Sequence, residues 1–211
     1  MIYIVMHDDC KYPHLEGYKP MKVGRVFSGS LDNINDLNPY LNETTALYSL
    51  WKHCTDDIVG LVHYRRFFVK DGTFLKYEDA QELLQYYDII VTRDHYPLQT
   101  TPYYNLVNDA DLELVDKYLA MCPPEVLPWF YSPNSFNVCN MFVARREIIN
   151  EYCEWLFPMI LPMAQRFIRE DVSDDKHRNR ALGYLVERLF GYWCKDLNRY
   201  GMEMRYVWDI K

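Results

Sequence analysis

The sequence predicts an α/β domain: a mixed sheet flanked by helices, with a helical C-terminal part. Short apolar or β-branched runs alternate with amphipathic stretches along the whole chain. No internal repeat, low-complexity tract or flexible linker breaks that alternation. A length of 211 residues, 49% hydrophobic and 25% charged, suits a single domain over 1–211 with one packed core.

The first strand is Ile2–Met6, because five apolar residues precede the polar turn at His7. It lacks the basic flank of a secretion signal and reads as structure. Residues 7–41 read as a long polar loop, a length that usually serves binding. Asn42 then reads as the cap of a helix whose Leu47, Leu50, Trp51 and Cys54 share one face. Residues 58–62 form an almost wholly apolar buried strand.

A helix at 77–86 and a strand at 88–92 follow, then a helix at about 109–121 and a proline-marked loop. Residues 136–144 read as a strand and 147–157 as a helix that Pro158 and Pro162 end. A helix at 178–197 and a last strand at 202–208 complete the chain.

Composition excludes several classes. No stretch approaches the roughly 20 apolar residues of a membrane span. A net charge of −7 argues against a nucleic-acid partner. The six cysteines form no CxxC pair, so they read as reduced thiols and not as a zinc or redox site.

The one dense basic spot is local: Arg65-Arg66, directly after the buried strand. In open α/β sheets, ligands bind beyond the carboxyl ends of strands. Two guanidiniums there fit a diphosphate, whose oxygens match the arginine fork. A pair of structural salt bridges explains them equally well. Strict alternation would send His63 and Arg65 to one side, and Tyr64 and Arg66 to the other.

The run 57–68, Asp-Ile-Val-Gly-Leu-Val-His-Tyr-Arg-Arg-Phe-Phe, closely resembles the signature of the bacterial domain-of-unknown-function family 4422. Residues 2–7 with Lys11, Pro13, Tyr18 and Pro20, then segments 38–52, 87–91, 140–148, 151–157 and 183–190, match its pattern in the same order. Residues 93–135 fit least well. The resemblance implies a GT-A-like (Rossmann-like) glycosyltransferase of capsule and exopolysaccharide assembly, with 1–92 as nucleotide-binding half and 93–211 as acceptor-side half. It implies a hexosyltransferase with a nucleotide-sugar donor, UDP-linked, and inversion. Some relatives resemble galactofuranosyltransferases. It also implies a saccharide or lipid-linked saccharide acceptor and a cytoplasmic place, with peripheral contact at the inner membrane face as an alternative.

Within that frame the expected roles are specific. Glu187 is the first choice of base, with Glu170 and Asp171 behind it, and His63 is its catalytic companion. Arg65 and Arg66 clamp the donor diphosphate in place of a metal, so no cofactor is required. Manganese or magnesium is the alternative, with Asp94 and Asp109 as fallback ligands. Asp109, in Asp109-Ala110-Asp111, also reads as ordinary helix-capping chemistry. His7, Lys11, Glu43 and Thr44 are expected at the nucleotide. Asn137, Asn140, Tyr184 and Arg188 are expected on the acceptor side. Gly183 and Gly191 read as places of close approach. The competing class is a non-catalytic carbohydrate- or nucleotide-binding module. A phosphoesterase using His63 as nucleophile lacks a second histidine at useful spacing.

Overall fold

The computed structural model describes residues 1–7, 10–23, 32–93 and 101–207. Its strands are β1 (Ile2–Met6), β2 (Tyr18–Lys22), β3 (Ile58–His63), β4 (Arg66–Lys70), β5 (Thr73–Phe74), β6 (Ile89–Thr92), β7 (Phe142–Arg145) and β8 (Arg199–Tyr206). Its helices are α1 (Asn38–Leu41), α2 (Thr44–His53), α3 (Tyr77–Leu83), α4 (Pro102–Asp109), α5 (Leu112–Leu119), α6 (Leu127–Phe130), α7 (Arg146–Glu170) and α8 (Ala181–Trp193).

The strands form one mixed sheet in the order β2-β1-β3-β7-β6-β8-β4-β5. β1 runs parallel to both β2 and β3, while β7 lies antiparallel between β3 and β6. β4 pairs with β8 and also returns to β3 through the single pair His63 and Arg66. Strands from both halves of the sequence therefore interleave in one sheet.

Alternation sorts the side chains onto two faces. Val5, Val59, Leu61, Ile89, Val91, Phe142 and Ala144 join the larger core, under α2, α7 and α8. Ile2, Ile4, Val62, Ile90 and Val143 join the smaller core with Phe67, Phe68 and Leu75. His63 follows Val59 and Leu61 in that alternation, so it faces the helices.

Several expectations change. The long polar loop contains β2 and α1, and Glu43, not Asn42, precedes the first residue of α2. The helix expected at about 109–121 is α5, over Leu112–Leu119, and a further helix, α4, precedes it over Pro102–Asp109, in a stretch expected to be irregular. The strand expected at 136–144 begins only at Phe142, because Cys139 and Asn140 hold φ angles of 71° and 48°. Pro158 and Pro162 lie inside one 25-residue helix and do not end it. Phe157, Ile160, Met163, Ala164 and Phe167 are buried around them, and that packing outweighs the roughly 3 kcal/mol that an interior proline costs.

Arg65 does not continue a strand: Tyr64 and Arg65 form the tight turn between β3 and β4. The turn makes His63 and Arg66 cross-strand partners, which strict alternation along one strand would have separated.

The two glycines of α8 are close approaches to other parts of the chain. A Cβ at Gly183 would stand 2.0 Å from the Asn42 amide nitrogen, and one at Gly191 would stand 2.7 Å from the Phe136 Cβ. Phe136 is fully buried and cannot step aside. Gly191→Ala should therefore cost about 1–2 kcal/mol in denaturant unfolding, overpacking exceeding the gain in helix propensity. A stabilised variant would contradict this packing.

Candidate functional site

A cavity of about 680 Å³ opens at the carboxyl ends of β1, β2 and β3, where Met6, His7, Val23 and His63 meet it. α1, the residues Asn42 and Glu43 that precede α2, the segment 176–180 and α8 supply the opposite wall. Four cationic side chains, Arg65, Arg66, Lys176 and Arg180, line it against two carboxylates, Glu43 and Glu187. An excess of positive charge in a chain of net charge −7 marks a place for an anion.

The wall is organised around the backbone of one residue, Cys139. Its N–H donates to Glu187 Oε1, and its carbonyl accepts from His63 Nε2 at 2.8 Å. A carbonyl can only accept, so His63 carries its proton on Nε2. Nδ1 is then an acceptor, and Arg66 Nη1 donates to it at 3.2 Å. Burial holds the imidazole below its usual pKa of 6.5, and the nearby Arg66 and Arg180 act the same way against Glu43. Neutral His63 thus orients Arg66, whose guanidinium also lies 5.1 Å from the centre of the Tyr206 ring.

The next residue continues the arrangement. Asn140 donates from Nδ2 to Glu43 Oε1 at 2.6 Å. Two consecutive non-glycine residues at positive φ are costly, and such strain persists where surrounding contacts over-determine it. Here the contacts come from His63, Glu187 and Glu43. Burial pushes the Cys139 thiol up to about 12, so it stays protonated near neutrality.

Glu187 is engaged at both oxygens. Its Oε2 accepts from Arg188 Nη1 at 2.7 Å. Arg188 is 1% exposed and is bound as well by Asp109 and by the Asn105 side-chain oxygen at 3.0 Å. Burial raises the Glu187 pKa, opposed by Arg188 and the Cys139 N–H.

Of the residues expected at the site, His7, Glu43, His63, Arg65, Arg66, Tyr184 and Glu187 line the cavity. Thr44 and Asn140 do not line it; both are buried beside Glu43, around a separate small space. Asn137 is spent inside the fold, donating to the Thr92 carbonyl at 2.6 Å and accepting from Arg199 at 3.2 Å. Lys11 is exposed and does not line the cavity. Arg188 acts from beneath, through Glu187. Glu170 and Asp171 bind Lys117 at 2.9 and 2.7 Å, away from the cavity.

Sequence reasoning missed Arg180, Lys176 and Asn42. Arg180 Nε donates to Asn42 Oδ1 at 3.1 Å, and its guanidinium lies 5.5 Å from the centre of the Tyr184 ring. A basic cluster in the polar run 176–180 was the available signal.

The metal candidates fare differently. Asp94 lies outside the described residues. Asp109 ends α4 and binds Arg188, and Asp111 binds Arg178 at 2.7 Å. Contrary to expectation, Asp109 does not cap the following helix; Asp111 stands at that position. Among the described residues, no three His, Cys, Asp or Glu side chains stand together as a ligand set. All six cysteines are free thiols. No helix of the described residues is long and apolar enough to cross a membrane.

Two outcomes follow. Glu187→Ala leaves Arg188 buried with half its charge partners, and stability should fall by about 3 kcal/mol in denaturant unfolding. A loss below about 1 kcal/mol would contradict the clamp. The second concerns pH. The unfolded His63 takes up a proton near 6.5 and the folded one only at lower pH. Its stabilising share is full above 6.5 and declines as pH falls below that value. Between pH 6.5 and about 5, the wild type should lose stability faster than His63→Gln, which keeps a donor for the Cys139 carbonyl. Parallel profiles would contradict a neutral His63.

Comparison with known proteins agrees with this architecture. No curated protein sequence matches the chain. The apo structure of WbbM, a bifunctional glycosyltransferase, is similar with a TM-score of 0.77 at 22% identity, over 99% of this chain and 45% of that one. At that identity the likeness shows a shared fold, and this chain spans less than half the length of that protein. Residues 1–199 match the profile of a domain of unknown function, DUF4422, and the chain belongs to that family.

Proposed function

We propose that the protein is a glycosyltransferase that moves a sugar from a nucleoside-diphosphate donor to a saccharide acceptor. UDP and galactofuranose are the first candidates for the donor, and capsule or exopolysaccharide assembly is the setting. The observation that carries the reading is the cationic cavity at the carboxyl ends of three parallel strands. The fold shared with WbbM supports it.

Arg65 and Arg66 bind the donor diphosphate, flanked by Arg180 and Lys176. His63 is a positioning residue: it receives the Arg66 N–H and so aims the guanidinium. The acceptor oxygen attacks the anomeric carbon on the face opposite the diphosphate. As the bond from that carbon to the diphosphate oxygen breaks, its electron pair leaves with the diphosphate. Fixed guanidinium charge stabilises that departing group without reorganisation. His7 and the end of β1 meet the nucleotide, and the Tyr184 ring offers a face to a sugar. Such a GT-A-like site works without a metal, and its acceptor is a free or lipid-linked saccharide at the cytoplasmic side of the membrane.

One finding favours a second reading, a nucleotide- or carbohydrate-binding module. The chain matches only 45% of WbbM, and the fold shared over that part is compatible with binding without turnover.

Calorimetry with UDP separates these accounts. Binding should survive excess EDTA, and Arg65→Ala or Arg66→Ala should weaken it about 10- to 100-fold, the loss of one charge-assisted contact. Binding that requires manganese, or indifference to both substitutions, would overturn the cationic clamp. UDP release from UDP-sugars distinguishes the transferase from the binding module.

A further inference from the structure

Two carboxylates face the cavity, and their surroundings differ. Glu187 has a donor on each oxygen, the Cys139 N–H and Arg188. Glu43 has one donor, Asn140, on Oε1, and its Oε2 has no partner among the described residues. A base must offer a lone pair within hydrogen-bond reach of the proton it takes. Glu43, the residue that precedes α2, stands in the cavity wall with His63 and Arg66.

Behind Glu43 lies a second, small space of about 10 Å³, at the lower limit for one water molecule. Three of the residues around it carry a buried polar atom without a partner: Thr44 Oγ1, Asn140 Oδ1 and Tyr152 Oη. These residues are 2%, 9% and 1% exposed. Buried polar groups are almost always hydrogen-bonded, and a water with two to four polar partners is the ordinary solution. The Asn140 orientation is not arbitrary, since a carboxylate accepts only and must face Nδ2. That leaves Oδ1 as the buried atom in need of a donor.

Resting on the transferase reading above, we propose that Glu43 is the catalytic base. Asn140 positions it, anchored through one buried water to Thr44 and Tyr152. Glu43 Oε2 takes the proton of the acceptor hydroxyl as that oxygen bonds to the anomeric carbon. The diphosphate leaves with the bonding pair, and the proton on Glu43 returns to solvent after product release. Glu187 keeps the Cys139 peptide in place and touches no reacting atom. The strain at Asn140 then has a use: it brings a side-chain amide under the base while its backbone enters β7.

The test uses UDP binding by calorimetry and UDP release from a panel of UDP-hexoses, UDP-galactofuranose included, with water or added galactosides as acceptors. Glu43→Gln should keep the wild-type melting temperature and bind UDP within about threefold, yet lose about 10²- to 10⁴-fold in kcat. Thr44→Val should lower kcat about tenfold with little change in KM, and Thr44→Ser, which keeps the hydroxyl, should restore it. If the wild type releases no UDP from any donor, the transferase reading falls and this assignment falls with it. If the wild type turns over and Glu43→Gln keeps kcat within about threefold, the base assignment alone is overturned. Should Glu43→Gln unfold, Glu43→Asp replaces it, and an unchanged kcat there overturns the assignment equally. Equal kcat in Thr44→Val and wild type overturns the water-anchored positioning.

Discussion

The site depends on how one strained peptide is held. Cys139 and Asn140 both sit at positive φ immediately before β7. A strand that entered the sheet directly would be cheaper. The strain is balanced by three side chains from three different elements: His63 at the end of β3, Glu187 on α8, and Glu43 at the start of α2. Each of those groups also lines the cavity. The same contacts therefore keep the loop in place and set the angle of the groups that face a ligand. Loss of one should be felt at the others, because contacts on two adjacent residues do not behave independently.

Charge in the cavity is arranged in two tiers. Arg65, Arg66, Arg180 and Lys176 surround the open space, while Arg188 lies buried behind Glu187 and Asp109. The buried arginine neutralises two carboxylates that would otherwise oppose an incoming anion. The surface arginines keep net positive charge for that anion. His63 remains neutral between the tiers and passes orientation, rather than charge, to Arg66.

Much of this was legible in the sequence. The apolar run at 58–62 followed by His-Tyr-Arg-Arg gave the central strand and placed the basic spot at its carboxyl end. What failed there was alternation: a two-residue turn reverses the chain at Tyr64 and Arg65, and no glycine or asparagine announces it. The loop at 137–141 was hidden for a related reason. Its composition reads as a strand, and only long-range donors and acceptors hold it at positive φ. Asn137 and Asn140 look equivalent in the sequence, yet one closes a buried network and the other faces Glu43. Prolines inside α7 misled because aromatic packing around Phe157 outweighs local propensity. Arg180 was missed because a polar basic run is usually a solvated surface, and its approach to the cavity depends on Gly183 admitting Asn42.

The most direct test is a crystal structure of the protein grown with UDP in the presence of EDTA. The account predicts the diphosphate against the Arg65 and Arg66 guanidiniums, the base of the nucleotide towards His7, and the Cys139 peptide still bound to His63 and Glu187. A diphosphate bound elsewhere, or a nucleotide in the cavity with both arginines turned away to carboxylates, would contradict it.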